Sequence, residues 1–300
     1  MTEPTPPFSQ ALIEAGLRRL GLKPGDTVLV HSSLKDLATI KDLKAAPDYG
    51  QPWFVQAFRN VLTDDGLLVM PTFTKTFTDE HYGPSGLVWD KTETPSRVGS
   101  LTDFTWRLPG AARSDHPTHS VTALGKAAVA FCQGHEYNRC ATFGKPGPWG
   151  NLWRRNAWIC MYGTWFNTCT AVHLAEDWLN LPFMAPTAPV AIKGPTGATL
   201  HVNVTQSPWG SRDFYKRKDS KVELRLLRES PDIFTIDAIG KCQVVLVRFR
   251  DLLGRVIAYH FDDPCILLND PAQDGFARQW SEPTIAHMRA QKKDAWREGL

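Results

Sequence analysis

Two short apolar runs, each closing on a polar cluster, constrain this chain more than any other feature. Thr27–His31 ends in His31-Ser32-Ser33, and Leu67–Met70 ends in Pro71-Thr72-Phe73-Thr74. A helical pattern precedes each run. Ser9 can cap a helix reaching Leu20, with Leu12, Ile13, Leu17 and Leu20 at helical spacing, and a second helix is expected over about Trp53–Leu62. Short buried strands alternating with helices argue for an α/β domain. In such sheets ligands collect at the carboxyl ends of the strands, where both polar clusters fall.

The pattern continues along the chain. Pro95-Ser96 is expected to open a helix over about Arg97–Arg107, with Ser96 as its cap and free N–H groups that favour an anion or a carbonyl oxygen. Strands are expected at Val121–Leu124 and Ala157–Tyr162, the latter leading through Asn167-Thr168 into a helix over Thr170–Leu179. Residues 190–268 differ in character: a hairpin-like Ala191–Val204, a charged middle, then strands Cys242–Phe249 and Val256–Phe261. They read as a β-rich insertion or subdomain on the same sheet. The resulting organisation is a disordered Pro-rich tail over 1–7, one domain over 8–276 and a helical tail over 277–300.

Composition removes several classes. The net charge of +3 is too small to argue for nucleic acid or a membrane surface as partner. Arg212–Glu229 carries seven basic against four acidic residues, the whole of that excess, and such a run ordinarily marks a solvated helix face. The start has neither a basic nor an apolar leader region, and the uncharged stretch Asn156–Ala175 is too polar to span a membrane. The six cysteines form no CxxC or zinc spacing and read as reduced thiols, which places the protein in the cytoplasm. P-loop, GxGxxG and GxSxG patterns are missing from the sequence.

The segment with the most chemistry is Thr170-Ala-Val-His173-Leu-Ala-Glu176-Asp177. His173 and Glu176 stand three apart and share a helix face. A carboxylate beside an imidazole fixes its tautomer and raises its basicity, as a general base requires. The plainer readings are a surface His–Glu pair or a core histidine. His116 and His119 are also three apart, but Pro117 makes their segment a loop. With His173 and Glu176 they give the alternative of a metal-dependent hydrolase; without a zinc motif, no metal is expected. Cys169, four residues before His173, is either a nucleophile or a small buried hydrophobe.

Five motifs in register carry a resemblance. They are Gly25-Asp-Thr-Val-Leu-Val-His31-Ser-Ser-Leu34, Leu68-Val-Met-Pro-Thr-Phe-Thr74, Thr94-Pro-Ser-Arg-Val-Gly99, Arg113-Ser-Asp-His116-Pro-Thr-His-Ser120-Val and His173-Leu-Ala-Glu176. Together they resemble the aminoglycoside 3-N-acetyltransferase family, closely over residues 8–185 and loosely beyond. The resemblance implies a three-layer α/β fold with a central mixed sheet and the active site at the strand ends. It implies acetyl-coenzyme A as donor and a primary amine as acceptor, most simply an aminoglycoside, with direct transfer. His173 becomes the general base and Glu176 its partner. The donor would lie along Ser32, Ser33, Leu34, Lys35, Ser96, Arg97, Val98, His116 and Ser120, with Thr72 beside them. Asp90, Glu93, Cys169 and Asp177 are the candidates on the acceptor side. Trp89, Trp149, Trp165 and Trp178, four of 11 tryptophans, lie near these residues in sequence and suggest a flatter, less charged amine as the alternative acceptor. A homodimer stays open.

Overall fold

A computed structural model describes residues 8–33, 40–74, 88–136, 141–186, 189–206 and 221–300. The tail 1–7, Leu34, Lys35 and the basic residues Arg212, Lys216, Arg217 and Lys218 lie outside them. The first half of the chain runs α1 (Gln10–Arg19), β1 (Thr27–Ser32), α2 (Ile40–Ala45), α3 (Gln51–Leu62), β2 (Leu67–Pro71), α4 (Ser100–Trp106), β3 (Ala112–Arg113), β4 (Val121–Leu124) and α5 (Ala128–Cys132). It continues with α6 (Pro148–Arg154), β5 (Trp158–Tyr162), α7 (Ala171–Trp178), β6 (Ala185–Pro186), β7 (Val190–Lys193), β8 (Thr199–Val202) and β9 (Thr205–Gln206). The last elements are α8 (Lys221–Glu229), β10 (Phe234–Ile239), β11 (Cys242–Arg248), α9 (Phe249–Asp262) and α10 (Gly275–Ala290).

Seven strands form one mixed sheet in the order β10-β11-β5-β1-β2-β4-β3. The central three, β5, β1 and β2, are parallel, and antiparallel neighbours extend both flanks. Alternation along each strand feeds two separate cores. Leu29, Val69, Ile159, Met161, Val245 and Val247 face one, covered by α5, α6, α7 and α9. Val28, Val30, Leu68, Met70, Cys160, Val244 and Leu246 face the other, covered by α1, α3 and α4. The expected three layers follow directly: a sheet apolar on both faces must be covered on both.

Three local expectations are corrected. The helix expected from Arg97 begins at Ser100, and Gly99 rather than Ser96 stands at its N-cap with φ 134°. Ser96 instead donates its N–H to the Asp103 carboxylate at 2.9 Å and pairs its hydroxyl with Thr102 at 2.7 Å. Val256–Phe261 is not a strand but the end of α9, whose buried Phe249, Leu252, Leu253, Val256, Ile257 and His260 recur at helical spacing. The β-rich stretch is also not one unit. β7 and β8 form a separate hairpin, whereas β10 and β11 complete the main sheet against β5. Ser9, by contrast, caps α1 as expected, its hydroxyl accepting from Leu12 N at 3.3 Å.

Candidate active site

The carboxyl ends of β1, β2 and β5 lie side by side, since Ser32 pairs in register with Tyr162 and Thr27 with Leu67. Helix α7 packs on the face that Leu29, Ile159 and Met161 feed, and it starts shortly after β5 ends. His173 therefore lies in the first turn of the helix that follows β5, near the strand ends where ligands collect in such sheets. Its Nδ1 lies 2.8 Å from Glu176 Oε2, and the imidazole is 34% exposed while the carboxylate is 1% exposed. A carboxylate only accepts, so His173 Nδ1 carries the proton and donates it to Glu176. In that tautomer of the neutral ring, Nε2 carries the lone pair. Glu176 Oε1 is buried without a hydrogen-bond partner among the described residues. Ala171, Val172, Leu174, Ala175 and Trp178 bury the rest of α7 in the core and hold this face in place.

The acceptor-side candidates do not converge. The Cys169 thiol is 3% exposed, and burial pushes its pKa up to about 12, so it holds no thiolate near neutral pH. Asp177 accepts from Phe143 N at 2.7 Å and ties α7 to the neighbouring loop. Burial raises its carboxyl pKa to about 6, against the lowering effect of that hydrogen bond. Asp90 pairs with Lys193 at 2.7 Å, the main cause of a pKa near about 2. That pair clamps the β7–β8 hairpin, which also hydrogen-bonds to Trp89 through Ala191 O and Lys193 N. Glu93 is exposed on the same turn. The expected aromatic pocket is corrected more firmly. Trp89, Trp149 and Trp178 are at most 3% exposed and pack in the core. Trp165 is half-buried and donates to the Glu223 carboxylate. Large apolar rings are drawn into the interior, and Trp89, Trp149 and Trp178 are taken up by packing there.

The donor-side candidates form a tight polar network. Thr72 N donates to Ser120 O at 2.8 Å, Ser120 Oγ to Thr72 O at 2.7 Å, and the Thr72 and Thr122 hydroxyls pair at 2.7 Å. Arg97 N donates to Phe73 O at 2.7 Å, which lays the Thr94–Gly99 segment across the end of β2. Ser32 and Ser33 are half-buried, Ser33 N donating to Tyr162 O at 3.0 Å, and Val98 is half-buried beside an exposed Arg97. His116, Thr72 and Ser120 are fully buried and hold loops in place. His116 Nδ1 accepts from His119 N at 3.0 Å and from Thr118 N at 3.3 Å. No three His, Cys, Asp or Glu among the described residues group as a metal site.

Three features go beyond what the sequence indicates. His119 and His135 are buried beside His116, whose ring stacks on His135 at 4.5 Å. Burial lowers the pKa of both to about 3, and the charges of His135 and His173 press His119 further in the same direction. His31 is 5% exposed at the end of β1, on the face that α7 covers, and its Nε2 is buried without a partner among the described residues. Its alternation with Leu29 was the available signal. The third is Arg113, a 6% exposed guanidinium that makes contacts to three chain segments. Long-range contacts of this kind leave no local pattern.

The chain belongs to an acyltransferase family. A profile of the aminoglycoside 3-N-acetyltransferase family matches residues 29–260, and the chain belongs to that family. It is similar to the SPbeta prophage-derived aminoglycoside N(3')-acetyltransferase-like protein YokD of Bacillus subtilis, 28% identical over 63% of this chain and 72% of the relative. It is also similar to aminoglycoside N(3)-acetyltransferase IV of a Salmonella species, 25% identical over 85% of this chain and 88% of that protein. Two solved structures share the fold. One is aminoglycoside acetyltransferase AAC(3)-IVa, as a histidine-to-alanine mutant in complex with gentamicin, with TM-score 0.71 and 23% identity over 93% of this chain and 100% of the other. The second is AAC-IIIb in a binary complex with CoASH, with TM-score 0.71 and 21% identity over 85% of this chain and 97% of that one. No described helix is long and apolar enough to cross a membrane.

Proposed function

We propose that this chain transfers the acetyl group of acetyl-coenzyme A directly to an amine of an aminoglycoside, with His173 as general base. The observation that carries the reading is the 2.8 Å contact between a solvent-reachable imidazole and a buried carboxylate. An alkylammonium has no lone pair and must lose a proton before attacking a thioester. His173 Nε2 takes that proton, while Glu176 holds Nδ1–H and stabilises the imidazolium formed. Such positioned proton transfer is worth about 10²–10⁴-fold in rate. Attack forms the N–C bond and leaves a second acidic proton on the nitrogen. Collapse then breaks the C–S bond, the leaving thiolate takes that second proton, and the imidazolium returns the first to water.

Direct transfer is favoured over an acyl-enzyme because the Cys169 thiol stays protonated. Core placement of three tryptophans weakens the reason to prefer a flatter, less charged amine, and the aminoglycoside acceptor rests on the family. The donor would lie along Ser32-Ser33 and the Thr94–Gly99 segment at the strand ends. There the Ser33, Ser96 and Arg97 N–H groups are already committed to Tyr162 O, Asp103 and Phe73 O and fix the shape of the site. The test is thiol release from acetyl-coenzyme A with a panel of amines that includes gentamicin-type compounds. Release with aminoglycosides, persisting in Cys169→Ala within about twofold of the parent kcat, is the expected result. Release only with other amines, or a burst of acetylated enzyme abolished by Cys169→Ala, would sink the proposal.

A further inference from the structure

Arg113 lies on the edge strand β3, remote in sequence from the His173–Glu176 pair, yet its side chain reaches three of the donor-side segments described above. Nε donates to Ser120 Oγ at 3.1 Å. Nη1 donates to Thr94 O at 2.5 Å and to Lys91 O at 3.2 Å. Nη2 donates to Thr72 O at 3.3 Å. These four partners are neutral oxygens, and they come from the end of β2, the turn before Thr94–Gly99 and the loop before β4.

A second route links the same guanidinium to the same segment. Arg113 packs over the Trp106 ring at 5.0 Å. Trp106 Nε1 donates to Asp103 Oδ1 at 2.9 Å, and that oxygen also accepts from Ser96 N at 2.9 Å. Thr94 is thus held from one side by Arg113, Ser96 from the other by Asp103, and Arg97 by Phe73 O. A planar guanidinium offers five donors in a fixed fork, whereas a lysine ammonium is a compact point donor that cannot span three segments at once.

We infer that Arg113 is the positioning residue of the donor side: its fork sets the spacing between the end of β2, the Thr94–Gly99 segment and Ser120, and so sets affinity for the acyl donor. The inference rests on the reading above that the donor lies along these segments. Arg113 touches no reacting atom, so its loss should appear in donor binding and leave the acceptor almost untouched.

The experiment titrates coenzyme A alone into the parent protein, Arg113→Lys and Arg113→Met by calorimetry, then measures KM for donor and acceptor separately. A weakening of coenzyme A binding of about tenfold in Arg113→Lys, larger in Arg113→Met, is expected, with acceptor KM within about twofold. A purely structural role would lower Tm and move both KM values together, and that result overturns the inference. So does Arg113→Lys binding coenzyme A as the parent does. Should neither variant fold, Ser120→Ala removes one acceptor of the fork with little change in volume. It should show the same donor-only effect at about threefold, and an equal effect on donor and acceptor overturns the inference. A parent protein that fails to bind coenzyme A overturns the functional reading and this inference together; a parent that binds it while Arg113→Lys is unchanged overturns this inference alone.

Discussion

Helix α7 and the loop between β3 and β4 both carry histidines, and the two regions treat the same side chain in opposite ways. On α7, His173 keeps a third of its surface open and points one nitrogen at a buried carboxylate. In the loop, His116 and His119 are closed off, packed with His135, Phe73 and Phe143, and held by hydroxyl and main-chain groups. The first environment leaves a ring open to solvent beside a carboxylate, while in the second burial lowers the pKa of His119 and His135 to about 3. A site that needs one proton acceptor gains from neighbours that cannot compete for the proton, and the lowered pKa of His119 provides such a neighbour.

The sharpest way to break this contrast is at His173. His173→Ala should lower kcat by about 10²–10⁴-fold with little change in Tm, measured by thiol release and thermal unfolding. His119→Phe, which keeps ring contact with Phe73 and Phe143, should cost activity far less. If the two substitutions cost the same, the division of roles between helix and loop fails.

Acidification tests the loop side. His31, His119 and His135 are neutral in the fold with pKa values near about 4, 3 and 3, against 6.5 for the unfolded chain. A depressed histidine pKa means the unfolded chain takes up protons first. The stabilisation is complete above pH 6.5 and lost as pH falls toward 4. Asp177 works in the opposite sense, but it is one group with a smaller shift. The urea midpoint, followed by tryptophan fluorescence, should therefore drop between pH 6.5 and 4.5, and His119→Phe should flatten part of that slope. A flat profile would mean that these rings are not held neutral.

How legible was this arrangement beforehand? Strands β1, β2, β4 and β5 were read within a residue or so, because each is a short apolar run bounded by turn residues. The His173–Glu176 pair was read from helical spacing alone. Ser96 misled because a serine ahead of an apolar run has the form of a cap, while Gly99 reaches a positive φ more readily. Val256–Phe261 misled because its β-branched and aromatic residues favour a strand locally, and only the period starting at Phe249 shows the helix. The tryptophans mislead for a different reason: nearness in sequence to candidate site residues says nothing about which side of a helix or strand a ring takes. The fork of Arg113 depends on Ser120, 7 positions away, and on main-chain oxygens 19 to 41 positions away, beyond any local pattern.

Within α7 itself the contrast can be sharpened further at Glu176. Glu176→Gln keeps an oxygen that can accept from His173 Nδ1 but removes the charge that stabilises an imidazolium. Charge-assisted hydrogen bonds are about twice as strong as neutral ones, so a loss of about tenfold in kcat is expected, well short of His173→Ala. Parent-like activity would mean that the carboxylate only packs against the ring.

The smallest effect is expected at Asp177, one turn along the same face from His173. Its carboxyl pKa is raised to about 6 from 3.8 by burial, against the Phe143 N–H that lowers it, with the Glu176 charge adding to the rise. A raised carboxylate pKa costs stability above that pKa, and the cost disappears once pH falls below the unfolded value. Asp177→Asn keeps an acceptor for Phe143 N and removes the charge. It should stabilise the fold at pH 8 by on the order of 1 kcal/mol, discounted because the group is partly exposed, or about 2 °C in Tm. The gain should vanish near pH 4. The acceptor KM should stay within about threefold, because the carboxylate is committed to the Phe143 loop. A large rise in acceptor KM at unchanged stability would instead place Asp177 against the substrate, and α7 would then carry both the base and an acceptor contact on one face.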